Sequence, residues 1–502
     1  MKRLLVLFLV LIIQTLQAQR TLLIHSVQLV DGSGGPLQKG AVRIKDSLII
    51  AVGQLSPLPS DSLIDGKGLT LVPGFIDTHS HHYGELEKQP ASIATNSQGI
   101  TTIVIGQDGE SESIDSIRAF LRHHPVAVNI ATYTGHSSLR EKVMGAAQLN
   151  RSATTAEITV MQKLLTSEMQ NGSLGLSSGL EYDAAFYSST DEVIALAKTA
   201  AAFQGRYTSH IRSEDVTLDA AITELLQIGK ATGMPVQFSH LKIGLRDRWG
   251  QAAAVLERLD SARQAGIQIT ADVYPYDFWS STLKVLFPKR DYTNLSSALF
   301  ATTHLFDPTQ SVLVRYAPTP SFVGKTVAAI ATQRAKSPAE TLLDLVQQAS
   351  VFRKAHPQYS SGIEAIAAKA MAMQDVNQFI GWDFANLCSD GRAGGHPRGY
   401  GAFTKMLRVY VREQKRFSLE KAIQKMTSLG AAHVGIKKRG LIAPGYYADL
   451  VLLNPATVAD QATIENSTAL SIGIQSVWIN GQQTYAYQGG STQARPGVFI
   501  TR

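Results

Sequence analysis

The chain has one cysteine in 502 residues, Cys388. An internal disulfide is therefore excluded, and so is a cysteine-based zinc cluster. Any metal must be held by histidines and carboxylates. Charge is also scarce: charged residues make up 17% of the chain, and the formal net charge is +7. No basic cluster stands out, so nucleic-acid binding is not suggested. Long apolar runs are confined to the N-terminus. Lys2 and Arg3 precede Leu4 to Ile13, and small or polar residues surround a cut site after Ala18. Residues 1–18 have the pattern of a secretory signal peptide, with an apolar part too short to span a bilayer stably. The pattern predicts export to a bacterial periplasm, with no stable membrane insertion once the segment is removed. Loss of Lys2 and Arg3 lowers the formal charge from +7 to +5.

What is present is the material of a large globular protein. Hydrophobic residues make up 44%, and forty glycines point to many tight turns. Short strand-like runs with turn chemistry fill residues 20–72. Strand-like runs recur at Asp449 to Asn454 and Ser476 to Asn480, where Asn480-Gly481 is a hairpin signal. One small β-sandwich domain assembled from both ends (19–72 and 436–502) is the expectation. Between them, 73–435 alternates strand-like runs with helical stretches. Eight runs stand out: Gly74 to His79, Thr101 to Gly106, Ala127 to Thr134, Ser173 to Gly179, Arg206 to His210, Pro235 to His240, Gln268 to Tyr274 and Phe379 to Cys388. Eight strand-helix repeats predict an α/β fold, a closed TIM-like (β/α)8 barrel. A stretch at about 285–378 is too long for one crossover and reads as an insertion beside the barrel mouth.

In such barrels chemistry sits at the C-terminal ends of the strands. Polar residues fall there repeatedly: His79 and His81, then Gln107 to Glu110, His136, Glu181-Tyr182, His210, His240, Asp272 and Asp390. Side chains alternate along a strand, so the two histidines of His79-x-His81 point the same way and can bite one metal. Zinc suits imidazole and carboxylate donors, and a catalytic zinc keeps a position for water, which becomes nucleophilic near neutral pH. A nearby carboxylate can take the water's proton and pass it to a leaving group. Asp390 suits that role.

These residues belong to longer motifs. They include Pro73-Gly74-Phe75-Ile76-Asp77-Thr78-His79-Ser80-His81, Gly175-Leu176-Ser177-Ser178-Gly179-Leu180-Glu181-Tyr182, Ser209-His210-Ile211-Arg212-Ser213-Glu214 and Ser239-His240-Leu241-Lys242. Asp272-Val273-Tyr274-Pro275-Tyr276, Ser389-Asp390-Gly391 and His396-Pro397-Arg398 follow. In this order, over nearly the whole mature chain, they resemble the amidohydrolase superfamily and, within it, the N-acyl-D-amino-acid deacylases (D-aminoacylases). The resemblance implies hydrolysis of a linear amide, one or two zinc ions and a small-molecule substrate such as an N-acyl amino acid. It implies that His79 and His81 hold one metal position, that His210 and His240 hold the second, and that Asp390 is the general acid/base. It places Tyr182, Lys242 and Tyr276 at the substrate. Arg290 and Arg398 are further candidates, because a guanidinium grips a carboxylate through its fork.

One position departs from the family. Its strand-two cysteine ligand is replaced by Asp108, within Gln107-Asp108-Gly109. A carboxylate can replace a thiolate as a ligand, with harder donors. Asp108 is thus expected to bind or bridge the metal. The alternative is a turn cap, with Glu110 or Glu181 rebuilding the site. Two other functions are weighed. A dihydroorotase- or hydantoinase-like cyclic-amide hydrolase would use a modified lysine after strand four, where this chain has Leu180-Glu181-Tyr182. A non-catalytic ligand-binding protein on the same scaffold would not need His79, His81, His210, His240 and Asp390 together.

Overall fold

A computed structural model describes residues 21–358 and 362–502. The expected signal peptide, 1–18, lies outside the described residues. The N-terminal part supplies β1 (Thr21–Leu29), β2 (Gln38–Lys45), β3 (Leu48–Gly53), β4 (Asp61–Asp65) and β5 (Thr70–Pro73). Barrel strands follow: β6 (Phe75–Asp77), β7 (Ile100–Ile105), β8 (Asn129–Thr132), β9 (Thr134–Gly135), β10 (Gly175–Gly179), β11 (Arg206–His210), β12 (Val236–Phe238) and β13 (Ile269–Val273). Then come β14 (Phe278–Ser281), β15 (Val312–Tyr316), β16 (Glu364–Lys369) and β17 (Ala385–Leu387). The C-terminal part adds β18 (Leu450–Leu453), β19 (Ile474–Ile479), β20 (Gln482–Ala486) and β21 (Gly490–Ser491).

Both chain ends share one hydrogen-bonded sheet, ordered β21-β20-β19-β18-β5-β1-β2-β3, with β4 also on β1. Its junction is the antiparallel pair β5–β18, where Val72 faces Val451 and Leu71 faces Leu452. Period-two alternation gives the sheet two apolar faces. Leu71, Leu450 and Leu452 pack with Ile24, Val42 and Trp478. Val72, Val451 and Leu453 turn the other way, into the large core that includes the barrel.

The barrel strands are parallel throughout. β6-β7-β8 forms one run and β9-β10-β11-β12-β13-β17 the other. β8 and β9 are one strand position interrupted at Tyr133, whose N–H donates to the Ile105 carbonyl. The first and last positions meet through a parallel bridge between Ser80 and Gly391. His81 N donates to Gly391 O (2.9 Å) and Asp390 N to His79 O (2.8 Å). The Asp77 carboxylate accepts from Ser389 N (2.8 Å) and Ser389 Oγ (2.5 Å), tying the same seam with charge-assisted bonds. Strand β7 is buried at every position, as a strand between barrel neighbours and outer helices must be.

The insertion is a subdomain with its own core, including Leu283, Phe287, Leu313, Leu342 and Ile366. Its antiparallel sheet, β14-β16-β15, starts at Phe278 and ends at Lys369. The expected span of 285–378 is therefore displaced at both ends. The helix Met373–Gly381 packs with the barrel, burying Val376, Phe379 and Ile380. Its Asp375 accepts from Gly250 N and Ala252 N, capping the preceding barrel helix. The eighth strand is thus only Ala385–Leu387, because Phe379 and Ile380 are one face of a helix. Among the described residues, no helix is long and apolar enough to cross a membrane.

Candidate metal centre and active site

Several barrel strands deliver polar residues to one cluster. His79 and His81 follow β6 with ring centroids 5.3 Å apart. His79 is completely buried, whereas His81 is partly open to the cavity. His210 ends β11, and His240 lies two residues past β12. Their rings are 4.7 Å apart, with His210 Nδ1 3.1 Å from His240 Nε2. Asp108 lies between the pairs. Its Oδ1 is 3.4 Å from His79 Nε2 and 3.3 Å from His240 Nε2, and its Oδ2 is 3.5 Å from His81 Nε2. Asp390 Oδ1 is 3.2 Å from His81 Nε2 and 3.6 Å from His79 Nε2. Three of these residues have left-handed backbone: Asp108 (φ 55°), His240 (φ 38°) and Asp390 (φ 48°). Such conformations cost energy in non-glycine residues and cluster at functional sites.

This donor set fits a divalent cation. The ligand atoms of His79, His81, Asp108 and Asp390 lie within 4.8 Å of one another, as do those of Asp108, His210 and His240. Both ring nitrogens of His79 are buried without a hydrogen-bond partner among the described residues. Burial would raise the Asp108 carboxyl, but the charges of His79 and His240 hold it well below its usual range. Burial would lower His79, but Asp108, Asp272 and Asp390 push it well above its usual value. His240 is pulled down by burial and Lys242 and up by Glu214 and Asp108, and settles at about 8. The cluster therefore demands positive charge, which protons or a cation can supply.

An outer layer fixes these groups. Asp272 Oδ1 accepts from His240 N (2.6 Å) and from Cys388 Sγ (3.1 Å), and lies 3.8 Å from His79 Nδ1. Carboxylates in this position orient ligand imidazoles. Lys242 Nζ donates to Glu214 Oε1 (2.6 Å) and lies 2.8 Å from His240 Nδ1, which is itself 2.9 Å from Glu214 Oε1. Glu181 Oε2 is 2.8 Å from His210 Nε2, and Glu181, His210 and Glu214 form a third group of possible ligands. Glu214 had no role in the sequence reading. An acid four residues beyond a strand-end histidine was its available signal, but helix-starting loops carry the same pattern.

Two adjoining cavity compartments open over the cluster. One, ≈ 540 Å³, is lined by Tyr182, His210, His240 and Lys242 and by apolar Trp279, Leu286 and Leu305. The other, ≈ 1150 Å³, is lined by His81, Asp108, Glu110 and residues of the insertion. Tyr182, Asp390 and Arg398 line both. Arg398 Nη1 is 2.7 Å from Asp390 Oδ2. Burial would raise Asp390, but Arg398 and the histidines hold it far below its usual range, so it is ionised.

Two expected substrate contacts are not brought to the cavity. The Tyr276 ring packs edge-on against His396 and lies under Lys405, lining a separate hollow with Asp460. The tyrosine nearer the cluster is Tyr274, 4.7 Å from the Arg398 guanidinium and 6.0 Å from Lys242 Nζ. Its hydroxyl is buried without a partner among the described residues. Arg290 is turned into the wall, donating to the carbonyls of Phe287 and Glu181 and stacking on Phe186. A guanidinium committed to backbone carbonyls is not free to grip a substrate carboxylate. His136 is also held apart from the cluster, by Glu192 at 2.9 Å.

A barrel with imidazole and carboxylate donors at its strand ends is the architecture of metal-dependent hydrolases. The model of the amidohydrolase family matches residues 62–298 and 307–485. N-acyl-D-aspartate deacylase of Alcaligenes xylosoxydans xylosoxydans is 34% identical, over 96% of this chain and 95% of its own. A crystal structure of D-aminoacylase superposes with a TM-score of 0.83 at 30% identity, over 96% of this chain and 99% of that one. N-acyl-D-glutamate deacylase from Bordetella bronchiseptica, solved with zinc and a phosphonate mimic of the tetrahedral intermediate, gives 0.84 at 28% identity, over 96% of this chain and 99% of that one. The chain belongs to the amidohydrolase family and, within it, to the N-acyl-D-amino-acid deacylase group.

Proposed function

We propose that this protein is a zinc-dependent deacylase of N-acyl-D-amino acids. The observation that carries the reading is Asp108, a carboxylate set between the His79–His81 and His210–His240 pairs. His79, His81, Asp108 and Asp390 would hold one ion, and Asp108, His210 and His240 a second. When bound, zinc supplies Lewis acidity toward the amide carbonyl and lowers the pKa of water. Asp390 is ionised and faces both compartments, so it starts as the proton acceptor. It takes the proton of the attacking water and returns it to the amide nitrogen as the C–N bond breaks. The products are a carboxylate and a free amino acid. Arg398 holds the second Asp390 oxygen and keeps the carboxylate aimed. Lys242 and Tyr182, beside apolar Trp279, Leu286 and Leu305, suit the amino-acid half of the substrate.

Strand β10 leads into Leu180, Glu181 and Tyr182, so no lysine is offered there for the bridge of cyclic-amide hydrolases. Export is part of the same proposal, supported by Lys2-Arg3, the apolar run Leu4 to Ile13 and the cut site after Ala18. N-terminal sequencing of the secreted protein tests it, and an intact Met1 would contradict it. The activity is tested by assaying zinc-loaded protein on N-acetyl-D- and N-acetyl-L-amino acids and on hydantoins. Turnover confined to the D-series is expected. Turnover of hydantoins alone, or of nothing, would overturn the reading.

A further inference from the structure

The wider compartment holds cationic groups that the proposed chemistry does not use. Arg315 projects from β15 of the insertion, and Arg392 lies two residues beyond Asp390; both line this compartment. Neither guanidinium has a hydrogen bond or ion pair among the described residues. The other cavity-lining cations are committed, Arg398 to Asp390 and Lys242 to Glu214. Partial burial and the positive charge of Arg392 lower Arg315 from its ordinary value, and Glu364 offsets part of that shift. Both residues stay exposed to solvent and face the same open compartment. Glu364 lines the same compartment. Glu364 accepts from Leu283 N at 2.8 Å, and burial raises its carboxyl.

The backbone leaves room for these side chains and for a ligand. Gly362 has φ 75°, and a Cβ there would come within 2.8 Å of Arg315 Nη1. Gly394 and Gly395 also have left-handed backbone (φ 70° and 79°), and they line the wall beyond Arg392 without side chains. Ala393 N donates to Glu85, which pins this loop at the rim. A pair of guanidiniums beside a void suits a carboxylate, which each can grip through a fork.

We propose that Arg315 and Arg392 form an anion subsite for a carboxylate at the far end of the acyl group. Dicarboxylic acyl groups such as succinyl or glutaryl are then preferred over acetyl. The inference rests on the deacylase reading. Asp390 and Arg398 stand at the boundary of the two compartments, and Lys242 with its apolar walls suits the amino-acid half. The acyl half therefore extends toward Arg315 and Arg392.

The test compares kcat/KM of the zinc-loaded enzyme for N-acetyl-D-leucine, N-glutaryl-D-leucine and N-acetyl-D-glutamate. A preference of about tenfold or more for glutaryl over acetyl is expected, expressed in KM. Arg315→Gln with Arg392→Gln should collapse that ratio, and Arg392→Lys should keep part of it. Calorimetry with glutarate alone should detect binding to the parent protein and not to the double variant. Equal kcat/KM for glutaryl and acetyl substrates, or a glutaryl preference that survives the double substitution, would overturn the subsite. A preference for N-acetyl-D-glutamate over the glutaryl compound would put the carboxylate on the amino-acid side and overturn the acyl assignment. Failure of all three substrates would overturn the deacylase reading, and the subsite with it.

Discussion

Asparagine at position 108 is the most informative single change. It keeps the shape of the side chain and tolerates the left-handed backbone at φ 55°. Alanine would add about 1–2 kcal/mol of backbone strain and confuse the result. The change removes a negative charge from a group within 3.3, 3.4 and 3.5 Å of three imidazole nitrogens. One opposite unit charge about 4 Å away is worth about 4 kcal/mol at the effective dielectric of a partly buried site. That corresponds to about a thousandfold in metal affinity. Zinc content after dialysis should therefore fall, and a competing chelator should strip the variant about a thousandfold more easily. The fold should survive, so circular dichroism of the variant should match the parent. Zinc affinity unchanged within about threefold would refute the bridging role and return Asp108 to a turn cap.

Asp390→Asn should lower kcat by about 10²–10⁴-fold, the usual range for a lost general base, and this is read by steady-state kinetics on zinc-saturated protein. Tyr276→Phe should leave KM for N-acyl-D-amino acids unchanged, because its ring lines a hollow apart from both compartments; a raised KM would restore the tyrosine expected from the motif. His433 gives a pH test remote from the centre. Its Nδ1–H donates to Asn386 Oδ1 at 2.7 Å, and burial, with Lys425 and Arg263 nearby, lowers it to about 3. The unfolded chain binds this proton below about pH 6.5 and the folded protein does not, so stability falls with acidification between those values, by up to about 1.4 kcal/mol per pH unit. His433→Gln removes that contribution. The melting-temperature gap between variant and parent should therefore narrow from pH 7 to pH 5, and a constant gap would contradict the assignment.

Much of this geometry was legible because it follows from short-range periodicity. Strand alternation puts His79 and His81 on one side, and apolar runs located the barrel strands within a few residues. What periodicity could not separate was the run Phe379 to Cys388. A buried helix face and a buried strand both show apolar residues there, and the chain is helical over Met373–Gly381. The Tyr274-Pro275-Tyr276 motif presents two tyrosines two residues apart. Past the end of β13 the strand rule no longer applies, and the chain turns Tyr276 away. Arg290 was chosen for its chemistry, yet carbonyls of Phe287 and Glu181 had already claimed its donors. Arg315 and Arg392 are far apart in sequence and line one compartment only because the insertion folds over the mouth.

The most direct measurement is a zinc titration of chelator-stripped protein, with turnover of an N-acyl-D-amino acid recorded at each addition. The expected result is no turnover without metal and recovery that saturates at one or two ions per chain, with the L-enantiomer inert throughout. Turnover that is independent of added zinc, or zinc binding without any hydrolysis of the D-substrate, would contradict a metal centre organised around Asp108.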